Sequence, residues 1–126
     1  MEFEDYTVSI TLYNCTGTIS YNPSPFKVRI SKDQKFLWIS GSRVTISNFH
    51  RTGANPGIQM NIGIPRDETY VFDCGFRMDA TTMRPESVYG WLSTSGALSF
   101  RTTESYTNAS GNPLHLFINS CIIPLE

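Results

Sequence analysis

Val88-Tyr89-Gly90-Trp91-Leu92-Ser93-Thr94-Ser95-Gly96-Ala97-Leu98-Ser99-Phe100-Arg101 is two apolar-rich runs separated by four small residues, the last a glycine. A hairpin is expected here, because its turn needs a residue free to take φ > 0 and the flanking runs favour extended backbone. Thr102 to Pro113, which follows, is polar and without periodicity. Leu114-His115-Leu116-Phe117-Ile118-Asn119-Ser120-Cys121-Ile122-Ile123 then closes the chain with a run too rich in β-branched and aromatic residues for a surface helix. It is expected to be one buried final strand, with His115 on the parity of Phe117 and Cys121, as a structural histidine sooner than a ligand.

Working outward from the hairpin, period-two alternation recurs along the chain. Tyr70 to Asp79 sets Phe72, Cys74, Phe76 and Met78 against Asp73, Arg77 and Asp79, and Gly57 to Ile64 aligns Ile58, Met60, Ile62 and Ile64. Tyr6 to Tyr13 reads as one half-buried first strand, with Tyr6, Val8, Ile10 and Leu12 on one face and Tyr13 on the other; a short Thr18 to Tyr21 piece is placed beside it. Phe26 to Ile30 and Phe36 to Ile39 form a second hairpin about Lys32-Asp33-Gln34. Gly41 then marks a bend where the chain passes between sheets, ahead of Arg43 to Ser47. His50 to Gly57 is a loop. No stretch sustains a 3.6-residue period, so little or no helix is expected. About seven to nine short strands at regular spacing predict an all-β fold, a single-domain antiparallel jelly roll or β-sandwich over residues 1–126.

At 126 residues the chain fills one two-layer core and not two. Its 10 Lys and Arg against 11 Asp and Glu give no general attraction to polyanions, which argues against a nucleic-acid partner. Three widely separated cysteines, Cys15, Cys74 and Cys121, cannot all pair and fit no zinc spacing; buried free thiols are expected, with no metal and no cofactor. Met1 to Asp5 is acidic and no apolar run reaches the length of a membrane helix, so folding in a reducing cytosol, or removal of a targeting part, is expected, without membrane insertion. Asn14-Cys15-Thr16 and Asn108-Ala109-Ser110 match the glycosylation sequon, a pattern short enough to arise by chance.

Enzymatic signatures are missing from the sequence. Asp73 and Asp79 stand six residues apart on one strand, roughly 20 Å at about 3.3 Å per residue, too far for the carboxyl pair of a glycosidase, which needs about 5 to 9.5 Å. No nucleophile elbow, phosphate loop or dinucleotide turn occurs, and His50 and His115 lack metal-ligand spacing. No catalytic residue is assigned.

The order of strands and turns from about Phe26 onward resembles the C-terminal head domains of receptor-binding proteins from tailed phages of Gram-positive bacteria. The likeness is carried by Phe36-Leu37-Trp38-Ile39-Ser40-Gly41-Ser42-Arg43-Val44-Thr45-Ile46, Asn61-Ile62-Gly63-Ile64-Pro65, Trp91 to Phe100, and the closing strand after Asn108-Ala109-Ser110-Gly111. What the resemblance implies is a jelly-roll homotrimer at the virion tail tip or baseplate, made in the host cytoplasm. It would contact other tail proteins and bind host cell-wall saccharide or a teichoic-acid-like polymer without catalysis. The N-terminal stalk of such fibres has no counterpart here, which points to an excised head or a separate small module.

A saccharide ring needs a flat aromatic beside planar donors and acceptors. With Val88 and Leu92 facing the core, Tyr89 and Trp91 face outward, and Asp73, Arg77, Asp79 and Arg101 are expected to reach the same surface. Two other roles compete for the aromatic pair: a subunit interface, or the core if the face is inverted. The loop His50-Arg51-Thr52-Gly53-Ala54-Asn55 is a second candidate, with His50, Arg51 and Asn55 as donors, set against a plain solvated connector. Glu104 to Asn108 stands third.

Overall fold

A computed structural model describes residues 2–6, 9–22, 27–63, 67–79, 86–103 and 113–125, with backbone alone for 6, 22, 76–79 and 86. In chain order the strands are β1 (Phe3–Tyr6), β2 (Ile10–Tyr13), β3 (Cys15–Asn22), β4 (Lys27–Ser31), β5 (Phe36–Ser40), β6 (Ser42–Arg51), β7 (Gly57–Asn61), β8 (Tyr70–Asp79), β9 (Glu86–Leu92), β10 (Ala97–Arg101), β11 (Leu114–Ile118) and β12 (Cys121–Pro124). No helix occurs among the described residues. All strand pairs are antiparallel, and they form a four-stranded sheet ordered β1-β4-β5-β12 and an eight-stranded sheet ordered β2-β7-β10-β9-β8-β11-β6-β3. This is the all-β sandwich class expected, with the larger sheet nearly closed on itself.

Near-closure has a local cause. The outer strands of the larger sheet, β2 and β3, are consecutive in the chain and joined only through Asn14, which takes φ 53°. Asn is among the few side chains that tolerate this left-handed backbone. The Asn14 carbonyl accepts the Thr52 and Gly53 amide N–H groups at 2.9 and 3.2 Å, which ties this corner to the end of β6. The interior is filled by one row from each strand: Val44, Ile46 and Phe49 from β6, Ile58 and Met60 from β7, Leu98 and Phe100 from β10, and Leu114 and Leu116 from β11, all at most 1% exposed. Leu37, Ile39 and Ile123 of the smaller sheet close over the same core.

Both expected hairpins form. β9 and β10 pair through Leu92↔Leu98 and Tyr89↔Arg101, and the turn residue Gly96 has φ 88°. β4 and β5 turn through Ser31 to Lys35, where the buried Ser31 hydroxyl donates to Asp33 Oδ1 at 2.6 Å and accepts the Lys35 and Phe36 N–H groups.

Four expectations are corrected. The run Tyr6 to Tyr13 is not one strand: β1 pairs with β4 in the smaller sheet and β2 with β7 in the larger one. The Thr18 to Tyr21 piece lies in β3, which pairs with β6 and not with the first strand. The closing run also splits, β11 lying between β8 and β6 while β12 crosses to the edge of the smaller sheet, with Asn119 and Ser120 at the crossing. In β8, finally, the register with β9 slips between Asp73 and Gly75. An alternation counted from Asp73 therefore does not carry through to Arg77 and Asp79.

Gly41 is the bend between sheets that the sequence suggests, since it separates β5 of one sheet from β6 of the other. Its N–H donates to Ser120 Oγ at 2.9 Å, so two of the chain's crossings between sheets, β5 to β6 and β11 to β12, touch. A Cβ at residue 41 would stand 2.2 Å from the Ile118 carbonyl oxygen and 2.7 Å from the Ser120 nitrogen, which leaves glycine the residue that fits.

Candidate functional site

The outward row of the larger sheet gathers its aromatic and charged side chains on one side. Register places Tyr13, Gly57, Arg101, Tyr89 and Asp73 side by side across β2, β7, β10, β9 and β8. The adjoining row is Thr11, Gln59, Ser99, Trp91 and Val71. Trp91 and Tyr89 are half-buried on the outer surface, while Val88 and Leu92 on the same strand are sealed inside. The core alternative for Trp91 therefore does not hold.

Arg101 is the centre of this surface. Its Cζ lies 4.5 Å from the Tyr13 ring centroid and 4.7 Å from that of Trp91, with a ring on either side of β10. Tyr13 belongs to β2, two strands away and hence about 10 Å at the usual strand spacing. Gly57, between them, carries no side chain, and Arg101 reaches Tyr13 over it. The Arg101 Nε–H donates to Ser99 Oγ at 2.8 Å, which fixes the head of the side chain. Among the described residues no carboxylate pairs with Arg101. Each cation–aromatic contact contributes about 0.5 to 2 kcal/mol depending on desolvation, enough to hold one conformation in the absence of ligand.

Asp73 is exposed and stands opposite Tyr89; Val71, opposite Trp91, is 52% exposed. The side chains of Arg77 and Asp79 lie outside the described residues. Tyr13 is the member that sequence reasoning missed. Its parity against Ile10 and Leu12 signalled an outward ring, but its neighbours depend on the order β2-β7-β10, which no local pattern encodes.

The loop candidate is mostly scaffolding, although it borders the same surface. Arg51 Nε donates to the Gly53 carbonyl at 2.8 Å, and Asn55, at φ 52°, donates from Nδ2 to the Thr102 carbonyl at 3.0 Å. Thr102 in turn donates its N–H and its hydroxyl to the Pro56 carbonyl at 3.0 and 2.8 Å. His50 is exposed in β6, opposite Thr16. The segment is thus anchored to Asn14 and Thr102, the residues that directly follow Tyr13 and Arg101. Residues 104–108, the third candidate, lie outside the described residues.

Elsewhere the reactive side chains are accounted for locally. Thr45 Oγ1 lies 2.9 Å from His115 Nδ1, and burial together with the charge of Arg43 holds the imidazole below its ordinary pKa. Cys15, Cys74 and Cys121 are free thiols, the first two directed at the Gly57 and Val88 carbonyls. Asn14 of the first sequon uses its side-chain amide to donate to the Ala54 carbonyl at 2.6 Å. Among the described residues no three His, Cys, Asp or Glu side chains are grouped to hold a metal ion. A separate cleft of about 360 Å³ is lined by Gly41, Ser42, Phe117, Ile118, Asn119 and Ser120, and shares no residue with the aromatic surface. No family model matches the chain. No curated protein and no solved structure matches it either.

Proposed function

We propose that this domain is a non-enzymatic adhesion module that binds a host cell-surface saccharide on the outer face of its larger sheet. The observation that carries the reading is the outward Tyr13, Arg101 and Trp91 stack, with Tyr89 and Asp73 alongside. A sugar ring places its CH face on an exposed aromatic and its hydroxyls on planar polar groups. Arg101 covers one face of the Trp91 ring, so the sugar is expected toward Val71, with Asp73 and Gln59 within the same two rows. A shallow surface of this kind binds weakly. Several copies on one particle, as in a trimeric tail-tip head, raise avidity by about 10² to 10⁴ without new contacts.

The experiment is a glycan array followed by titration of Gram-positive cell-wall polymer. Binding that disappears in Trp91→Ala, with the fold intact by circular dichroism, supports the reading, and no binding to any glycan at millimolar concentration overturns it.

A second reading, a structural baseplate or decoration module that binds only protein, is favoured by the smaller sheet. Its outer row runs Asp5, Arg29, Trp38, Ile122, in which Arg29 pairs with Asp5 at 2.7 Å and lies 4.9 Å over the Trp38 ring. Ile122 is 56% exposed at the edge of that sheet.

A further inference from the structure

We infer that the ligand of the Trp91 surface carries an anionic group, a phosphate or a carboxylate, and that Arg101 is the residue that reads it. The inference rests on the saccharide reading above and adds the charge of the substrate.

Three observations converge. Tyr13 and Trp91 flank the Arg101 guanidinium at 4.5 and 4.7 Å, and Ser99 Oγ takes its Nε–H at 2.8 Å. Only the two terminal nitrogens are left to meet a ligand. No carboxylate among the described residues neutralises them, whereas Arg29, the arginine stacked on Trp38 in the smaller sheet, is paired with Asp5. The same element, an arginine on an indole, is thus closed by an acid at one place and, among the described residues, meets none at the other.

A guanidinium presents N–H groups in a plane, and a two-oxygen acceptor in that plane meets two of them at once. A sugar hydroxyl meets one. Because stacking has already ordered the side chain, little rotamer freedom is lost on binding, and the preference for a charged acceptor is expressed more fully. Asp73 stands across Tyr89 from Arg101, two strands away, and takes hydroxyls and not the acid.

The test compares three soluble probes of one ring, glucose, glucuronate and glucose 1-phosphate, titrated into the ¹⁵N-labelled protein and its Arg101 variants with the Trp91 indole N–H signal followed by NMR. Glucuronate or glucose 1-phosphate is expected to bind about tenfold or more tighter than glucose, the size of a charge-assisted hydrogen bond. The gap should narrow in Arg101→Lys, which keeps the charge but loses the fork, and vanish in Arg101→Gln; unchanged amide spectra certify that both variants are folded. Equal binding of all three probes at the Trp91 surface overturns this inference and leaves the saccharide reading standing. A preference for the acid that survives in Arg101→Gln also overturns it. Binding of no probe overturns this inference, and the saccharide reading falls with it only if the glycan array is blank as well. If only glucose 1-phosphate gains, the acid is a phosphate; if glucuronate gains equally, the site reads either anion.

Discussion

Arg101 lies 4.7 Å over Trp91 and, from the other side of its strand, 4.5 Å over Tyr13. Arg101 and Trp91 come from the two arms of one hairpin, Tyr13 from a strand remote in sequence, and its meeting with Arg101 depends on β7 presenting a bare glycine between β2 and β10. The stack is thus a consequence of sheet order as much as of side-chain chemistry.

Tyr13 and Arg101 are expected to be energetically coupled. In a double-mutant cycle of Tyr13→Ala and Arg101→Ala, measured by urea unfolding, the coupling energy should be about 0.5 to 2 kcal/mol. A cycle that closes to zero would show that the two side chains only neighbour one another.

Gly41→Ala should be severely destabilising, by about 3 kcal/mol or more, because the added methyl meets backbone that cannot rotate away. Ser120→Ala removes only the acceptor of the Gly41 N–H and should cost about 1 kcal/mol. Thermal unfolding of the two variants side by side checks the ranking.

Burial holds all three thiols above their ordinary pKa, and Cys74, further opposed by Cys121 and Asp73, is pushed up to about 12. The unfolded chain gives up these protons near the ordinary thiol value of 9.0, at lower pH than the folded protein. The stabilising contribution is therefore whole below about pH 9 and is lost as pH climbs toward 12. A thiol reagent at mildly alkaline pH should modify the native protein far more slowly than the protein in denaturant.

His115 titrates in the opposite sense. Its pKa is lowered from 6.5, by burial first and by Arg43 second, so the unfolded chain takes up this proton before the folded protein does. Stability from this group is present above about pH 6.5 and falls with pH until the folded pKa is passed. The acid-side loss in melting temperature should be smaller in His115→Gln than in the parent. An equal slope in both would assign the loss to other groups.

The sidedness of β9 is legible because Val88 and Leu92 bracket Tyr89 and Trp91 on a short strand that itself carries no extra residue, the slip against β8 falling on the β8 side, and parity then decides everything. Tyr6 to Tyr13 reads as one strand by the same parity, since an alternating pattern is identical whichever sheet a segment joins. Asn119-Ser120 was visible only as two polar residues inside an apolar run, although it is where the chain changes sheets. In β8 the alternation looked clean, but pairing with β9 adds a residue after Asp73, a property of the pair and not of either sequence alone. Tyr13 stayed hidden for a related reason: periodicity states which way a ring faces, and only the strand order states what it faces.

The placement of β11 and β12 bears on how the molecule is made. β11 is the inner strand that joins β6 to β8, and β12 flanks β5 on the other layer, so a nascent chain holds both layers incomplete until residues 114–124 have left the ribosome. A product that stops short of Leu114 exposes open backbone on β5, β6 and β8 together, the condition in which strands seek foreign partners. A chain cut before Leu114 is therefore expected to aggregate where the whole domain stays in solution.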